Sequence, residues 1–429
     1  MKMKETLERA LRGQPHRTKS SLTEMLMFPC SAQHMYRNLG REGDRPRSYG
    51  SILQPLIEKE HRKTLRKYLK GAFKEEFMSV EDPIKVSDAV EIEVLGLIGD
   101  SPVAALYSKT TTDNILPGHV RIVGAYLAGV SENDATILSI DRDSLKMTAW
   151  RIRSGNRSMV DAITMDAEYI EGLLLNLTDS VDGVSSECRT CSFKGTCEVA
   201  QENKFSAKPF PITAIYHERL LKVEEKIDKY LLSLNEVDDG RNTGYLSPSE
   251  MSISSCDRRM WYKMKKVDRK ADISPSLRKI FDMGHAIHEV IQSILHEEEE
   301  GFSSERTASL AGTAVSGSCD GDLANEGLEI KSISHKGFIK LRSPKTEHKK
   351  QGSTYCAALG LDKMLFVYYN KRTGEIATFY EPMDPKLVGK TKARAKRIEQ
   401  AVMDDEIPER KTGWGCRTCA YEHICKPGV

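Results

Sequence analysis

The chain carries one signature twice. Ser21-x2-Glu24-Met25-x4-Cys30-x5-Tyr36 returns, with identical internal spacing, as Ser247-x2-Glu250-Met251-x4-Cys256-x5-Tyr262. Each copy closes on a second signature, Cys188-Arg189-Thr190-Cys191-x5-Cys197 in the first and Cys416-Arg417-Thr418-Cys419-x5-Cys425 in the second. The lone cysteine precedes its trio by 158 residues in one copy and by 160 in the other. Chance does not supply that agreement, so the sequence reads as a tandem duplication in which one half serves as a control for the other.

The 429 residues are enough for two or three domains, each with its own core. The expected division is 1–213 for the first copy, 214–243 for a helical linker and 244–429 for the second copy. Within the linker, apolar residues at Leu220, Val223, Ile227, Leu231 and Leu234 predict one amphipathic helix over about 215–234. A turn-rich break, Asp238-Asp239-Gly240-Arg241-Asn242, follows.

A formal net charge of +2 gives no global nucleic-acid signal, so any such signal is local. No stretch approaches membrane-spanning length, and the N-terminal MKMKETLERALRG lacks an apolar signal-peptide core. The expected setting is the cytoplasm, where thiols stay reduced. Ten cysteines there read as metal or cluster ligands rather than disulfides. Eight fall into the two quartets, and Cys319 and Cys356 are expected to be buried thiols.

In the second copy, Ser274 and Pro275 open a helix running to about Glu298, with Ile280, Phe281, Ile287, Val290, Ile291 and Ile294 as its apolar face. Strands are expected over about 313–323, 328–334, 364–369 and 376–380, and helices over 347–359 and 385–403. That order implies a mixed α/β core.

The chemistry concentrates in Gly317-Ser318-Cys319-Asp320-Gly321-Asp322 and Gly327-Leu328-Glu329-Ile330-Lys331. Strand alternation puts Glu329 and Lys331 on one face, and an acid from the preceding strand can meet Glu329 there. Paired carboxylates suit Mg²⁺ or Mn²⁺, and the lysine can orient or help deprotonate an attacking water. Asp322 also lies close to Glu329 and competes with Asp320 for the metal.

Here the sequence resembles the PD-(D/E)XK nuclease superfamily, and more narrowly the RecB-like exonucleases. Gly284-x3-His288, Gly317-x2-Asp320, Glu329-x-Lys331 and Gln351-x3-Tyr355 follow the family's order. The Gly317-x2-Asp320 spacing of that resemblance implies Asp320, rather than Asp322, as the metal ligand. His285 lies off that spacing and is expected on the helix surface. The resemblance implies two tandem restriction-endonuclease-like domains, each a mixed sheet flanked by helices. It implies metal ligation by His288, Asp320 and Glu329, catalysis involving Asp320, Glu329 and Lys331, and substrate positioning by Gln351 and Tyr355. It further implies a metal-dependent deoxyribonuclease that works from DNA ends and threads a single strand, in recombination, repair or viral DNA processing. A helicase or recombination partner fits that setting. The alternatives are a non-catalytic DNA-binding or assembly subunit and a structure-specific endonuclease.

The quartets Cys30, Cys188, Cys191, Cys197 and Cys256, Cys416, Cys419, Cys425 resemble the iron–sulfur staple of AddB-type and CRISPR-adaptation nucleases. The resemblance implies a [4Fe–4S] cluster in each copy, with zinc as the alternative. Lys336, Lys340, Arg342, Lys345, Lys349 and Lys350 follow the catalytic lysine and are expected to meet the DNA backbone. A second basic run, Lys386, Lys390, Lys392, Arg394, Lys396 and Arg397, reads equally well as solvated helix surface.

Matching the halves through their cysteines and tyrosines sets Lys109 at the Lys331 position and Tyr107 at Glu329. It sets Ile98 near Asp320, Asp100 at Asp322, Ile122 at Gln351, and Glu75 near His288. His119 and Tyr126 then match His348 and Tyr355. Lacking the acidic pair, the first copy reads as a degenerate nuclease that binds DNA, forms a channel, holds a partner or serves as scaffold.

Overall fold

The computed structural model describes residues 2–13, 49–82, 84–87, 90–108, 123, 134–154, 215–235, 244–253, 256–270, 273–411, 413, 416 and 419–425. They fall into two compact units, Met1–Gly13 with Tyr49–Glu60 and Leu231–Val429, and Gln14–Ser48 with His61–Tyr230. No helix among these residues is long and apolar enough to cross a membrane.

In chain order, α1 (Lys2–Gly13) and α2 (Tyr49–Phe73) precede a run of strands. These are β1 (Phe77–Ser79), β2 (Ile84–Ser87), β3 (Val90–Ile92), β4 (Gly96–Ile98), β5 (Ser101–Ser108), β6 (Asp134–Asp141), β7 (Met147–Ser154) and β8 (Ile215–Arg219). Strands β2 and β3 form a separate hairpin, and the rest build a sheet of order β1-β4-β5-β6-β7-β8 in which only β5 and β6 are parallel. The helix expected over 215–234 opens as a strand. Ile215–Arg219 pairs with β7, and only Leu221–Ser233, here α3, is helical. The strand carries tyrosine and isoleucine at its start, and Ile227 and Leu231 of α3 are fully buried. The apolar period was therefore genuine only from Leu220 onward.

The C-terminal unit continues with α4 (Pro248–Ile253), α5 (Asp257–Met264), α6 (Pro275–Glu298), β9 (Ser303–Ser309), β10 (Ser316–Leu323) and β11 (Glu326–Ile333). Then come α7 (His335–Phe338), α8 (Thr346–Leu359), β12 (Lys363–Asn370), β13 (Ile376–Pro382), α9 (Pro385–Met403) and α10 (Glu422–Cys425). Its sheet has the order β13-β12-β11-β10-β9, with β11 and β12 parallel and every other pair antiparallel. Parallel neighbours need a crossover, and α8 supplies it. Both units are thus mixed α/β, and the antiparallel–antiparallel–parallel–antiparallel sequence of pairings is common to the two sheets.

Local chemistry sets the boundaries. Ser274 accepts the Leu277 N–H at 3.2 Å ahead of Pro275, and Asp384 accepts the Lys386 and Leu387 N–H groups ahead of Pro385. Gly360, at φ +71°, closes α8 in the left-handed region. Met283, Ile287, Ile291, Ile294 and Leu295 form the buried face of α6, whereas Phe281, expected on that face, is exposed.

The repeated signature has a physical reading in its second copy. Ser247 and Glu250 form a reciprocal capping box on α4, Ser247 Oγ accepting the Glu250 N–H and Glu250 accepting the Ser247 N–H. Met251 is fully buried beside Met260, Val315 and Ile398, and Tyr262 packs on Tyr421 with ring centroids 5.4 Å apart.

The N-terminal helix, placed by sequence with the first copy, packs on α6. Met3, Leu7 and Leu11 are buried, Thr6 donates to Glu299, and the Met3 N–H donates to Glu326.

Two motif glycines differ in what surrounds them. A Cβ on Gly317 would stand 2.8 Å from Pro248 Cδ, whereas one on Gly284 meets nothing within 4 Å. Gly317→Ala should therefore cost about 1–3 kcal/mol of unfolding free energy. Gly284→Ala, on an open face of α6, should gain up to about 1 kcal/mol. Denaturant titration of the two variants checks both signs.

Candidate active site

Strands β10 and β11 pair from Leu323↔Glu326 to Gly321↔Leu328. The next step of that register sets Asp320 opposite Glu329, and there the ladder stops. The Ile330 N–H goes instead to Asp320 Oδ2 at 2.6 Å, and the Ile330 carbonyl accepts from His288 Nε2 at 3.1 Å. On the other side, β9 pairs with β10 at Cys319↔Arg306 and Gly321↔Ser304, but the intervening pair, Asp320 with Glu305, is missing. Glu305 has φ +51°, and the Asp320 carbonyl accepts from Gln292 Nε2 of α6 at 2.7 Å. Three acids, Glu305, Asp320 and Glu329, thus lie in one row across β9, β10 and β11, with His288 reaching in from α6.

The tautomer of His288 follows from its partner. A carbonyl only accepts, so Nε2 carries the proton and Nδ1 presents a lone pair. That lone pair stands 3.5 Å from Asp320 Oδ1. Burial and then Lys331 hold the imidazole below its usual pKa, so it stays neutral at pH 7. Two acceptors facing each other can share a proton, a water or a cation. Ligand atoms of His288, Glu305 and Asp320 all lie within 4.8 Å of one another, and this nitrogen-and-oxygen set fits Mg²⁺ or Mn²⁺.

Glu329 is 1% exposed and contacts Lys331 Nζ, and neither of its oxygens has a hydrogen-bonding donor besides that ammonium. Burial pushes its pKa up to about 7, with Asp320 adding and Lys331 opposing. Burial likewise pushes Asp320 up to about 6, with Glu305 adding to the shift and Lys331 and the Ile330 N–H opposing it. Burial alone would lower Lys331, but Glu329 and Asp320 outweigh it and hold the pKa above the ordinary lysine value. Lys331 is an ammonium here, suited to orienting a water or phosphoryl oxygen by donation.

Gln351 and Tyr355 are buried on α8, and Gln351 Oε1 has no hydrogen-bond partner. Burial, with Glu329 next, raises the Tyr355 pKa, so its hydroxyl stays protonated. Asp322 Oδ2 accepts from Arg306 at 2.8 Å, and its Oδ1 is buried without a hydrogen-bond partner. His285 is an exposed surface residue near Asp282. Sequence reasoning missed Glu305, Gln292 and His348. His348 Nδ1 meets the Tyr368 hydroxyl at 2.7 Å, and burial, then Lys331, pushes its pKa down to about 3. Tyr368 is the parallel partner of Lys331, so this pair stands next to the lysine. No spacing rule marks Glu305, whose place depends on strand register alone.

Of the basic residues after Lys331, Lys336, Lys340, Arg342 and Lys345 are exposed. Lys349 is bound to Glu381 at 2.7 Å, and Lys350 donates to the Met251 carbonyl at 2.8 Å. In the second basic run, Arg394 and Arg397 both clasp Asp257.

Cys256, Cys416, Cys419 and Cys425 are partly exposed, form no disulfide, and line one cavity of ≈ 50 Å³ with Arg259, Tyr262, Arg410, Lys411 and Tyr421. Cys256 occupies the N-cap position of α5 without a side-chain capping hydrogen bond. The quartet of Cys30, Cys188, Cys191 and Cys197 lies outside the described residues, as do Lys109, His119, Ile122 and Tyr126. Cys319 and Cys356 are buried free thiols, as expected.

The first sheet corrects the correspondence drawn from cysteines and tyrosines. Aligning the closing pairs Ile98↔Ser101 and Leu323↔Glu326 sets Leu95 at Asp320, Ala104 at Glu329 and Leu106 at Lys331. The β6–β7 and β12–β13 hairpins give the same match, through Ala104↔Ile137 and Glu329↔Phe366. All three replacements are buried and apolar. Tyr107 instead meets His61 at 2.8 Å, Asp100 sits in the β4–β5 turn, and Glu75 lies in a short turn after α2, remote from a mid-helix position.

No family model and no curated protein matches the chain. Among solved structures it is similar to SSO0001 at 18% identity and TM-score 0.30, over 48% of this chain and 96% of that one. It is similar to the alkaline exonuclease LHK-Exo from Laribacter hongkongensis at 17% identity and TM-score 0.31, over 38% of this chain and 89% of that one. The complex of LHK-Exo with dAMP gives 17%, 0.30, 39% and 95% for the same quantities. Such TM-scores do not by themselves establish a shared fold.

An acid whose folded pKa is raised stabilises the fold by proton uptake. That contribution is complete below the unfolded pKa of about 4 and is lost as pH rises through the folded value. For Asp320 and Glu329 the loss falls between about pH 6 and 7. A divalent cation competes with those protons. The rise in melting temperature produced by Mn²⁺ should therefore be full at about pH 8, half lost between 6 and 7 and absent near 5. Asp320→Ala should abolish it throughout. Thermal unfolding with and without Mn²⁺ checks both statements.

Proposed function

We propose that the chain is a divalent-metal-dependent deoxyribonuclease of the RecB-like PD-(D/E)XK type, an exonuclease acting from DNA ends. The observation that carries this reading is the convergence of His288, Asp320, Glu329 and Lys331 at the break between β10 and β11. His288, Asp320 and Glu329 would hold Mg²⁺ or Mn²⁺, which when bound supplies Lewis acidity at the scissile phosphate. Lys331 donates hydrogen bonds to the attacking water or a phosphoryl oxygen and fixes the line of attack. Gln351, with a free carbonyl oxygen, and Tyr355 position substrate beside it. Exposed Lys336, Lys340, Arg342 and Lys345 supply phosphate contacts, with Lys349 and Lys350 anchoring the helix behind them. Threading of a single strand, a helicase or recombination partner, and a cytoplasmic setting in repair, recombination or viral DNA processing belong to the same reading.

The shared pairing sequence of the two sheets supports a tandem duplication, with 1–213 the degenerate copy, 214–243 the connection and 244–429 the active copy. Leu95, Ala104 and Leu106 at the catalytic positions support the loss of metal binding in the first copy.

The four thiols around one cavity fit a thiolate-bound centre. Cys256, Cys416, Cys419 and Cys425 would hold a [4Fe–4S] cluster, and Cys30, Cys188, Cys191 and Cys197 a second; zinc is the alternative donor-compatible ion. Anaerobically purified protein should contain about eight irons per chain and absorb broadly near roughly 400 nm. Stoichiometric zinc without iron would overturn the cluster.

The activity is tested on end-labelled single- and double-stranded DNA with Mg²⁺ or Mn²⁺. Wild type should shorten both from their ends, and Glu329→Ala and Lys331→Ala should each lose at least about 100-fold in rate. Cutting of closed circular DNA would indicate an endonuclease. Intact DNA with all three proteins would leave a non-catalytic DNA-binding subunit.

A further inference from the structure

We propose that Glu305 is a further protein ligand of the catalytic cation, joining His288, Asp320 and Glu329; this rests on the metal-dependent reading of the same site. Nothing in the sequence motifs singles it out. Its place comes from β9, which runs beside β10 in unbroken register on both sides of it. At Glu305 alone the backbone leaves that ladder, adopting φ +51°. A non-glycine residue there costs on the order of 1–2 kcal/mol, which an ordinary edge strand has no reason to carry.

The carboxylate is held in place from two sides. Gln292 Nε2 donates to Oε1 at 3.0 Å and Ser318 Oγ donates to Oε2 at 2.8 Å. A carboxylate has about four acceptor positions, so two remain for a cation. Gln292 also donates to the Asp320 carbonyl, so one buried amide sets the spacing of both acids. Ligand atoms of Glu305, His288 and Asp320 all fall within 4.8 Å of one another. Ligands of an octahedral Mg²⁺ or Mn²⁺ at about 2.1 Å stand roughly 3.0–4.2 Å apart, so little movement is needed to close on an ion. Independently of this cluster, buried Glu329 opposite Asp320 keeps both oxygens without hydrogen-bond donors besides Lys331. The row of acids is short of positive charge from both ends.

Glu305 is exposed, so it closes the solvent side of the site whereas Asp320 and Glu329 form its floor. A purely structural Glu305 would only receive the Gln292 and Ser318 hydrogen bonds. Glu305→Gln and Ser318→Ala would then both change stability slightly and leave metal affinity alone.

Mn²⁺ binding to the full chain, followed by the electron paramagnetic resonance signal of free Mn²⁺, separates these cases. Glu305→Gln should weaken binding tenfold or more at an unchanged metal-free melting temperature. Ser318→Ala should weaken it less than threefold, and Glu305→Asp, which keeps the charge, should fall between. Binding by Glu305→Gln within twofold of wild type, with His288→Ala and Asp320→Ala weakened tenfold or more, would overturn the role of Glu305 and leave the nuclease reading standing. Unchanged binding in His288→Ala and Asp320→Ala as well would overturn both.

Discussion

The C-terminal unit is organised around one broken rung of its sheet. Beyond Gly321↔Leu328 the ladder between β10 and β11 opens, and both backbone groups of Ile330 lose their strand partners. A buried polar group left without a partner costs about 1–3 kcal/mol, so the opening persists only if side chains replace the strand. Asp320 takes the N–H and His288 takes the carbonyl. The same two bonds aim an imidazole lone pair and a carboxylate at each other. The bonds that satisfy the backbone also set the geometry of the proposed cation site.

The charges gathered there are costly without an ion. Burial pushes both Asp320 and Glu329 toward the protonated form, and Lys331 offsets part of that cost. In the proposed function, a divalent cation would compete with protons for this site over a narrow range near neutrality. The supports are equally specific. Gln292 spans two of the acids, and the Tyr368 hydroxyl ties His348 and the Lys345 N–H beside Lys331. At the other end of the unit, Arg394 and Arg397 hold Asp257 next to Cys256, and the Lys270 N–H donates to the Ala420 carbonyl beside the remaining cysteines. The thiol cavity therefore sits where the opening helices and the chain end meet.

Much of this was legible in sequence because it depends on local chemistry. Ser274-Pro275 and Asp384-Pro385 mark helix starts, and both helices begin there. Alternation placed Glu329 and Lys331 together, and their side chains are in contact. What sequence did not yield depends on register between distant strands. Glu305 reaches the site only because β9 lies beside β10, and that Leu95, Ala104 and Leu106 hold the matching register positions of the first sheet emerges only from strand pairing. Segment 215–219 misled because a short apolar strand and the first turn of an amphipathic helix look alike. Charge runs do not reveal their partners in sequence: Lys350, Arg394 and Arg397 tie helices to one another, and Lys349 ties α8 to β13.

A crystal grown with Mn²⁺ and measured on both sides of the manganese absorption edge would locate the ion directly. The geometry requires an anomalous peak between His288 Nδ1 and the Asp320 carboxylate, within coordination distance of both. A peak elsewhere in the unit, or none at saturating Mn²⁺, would contradict it.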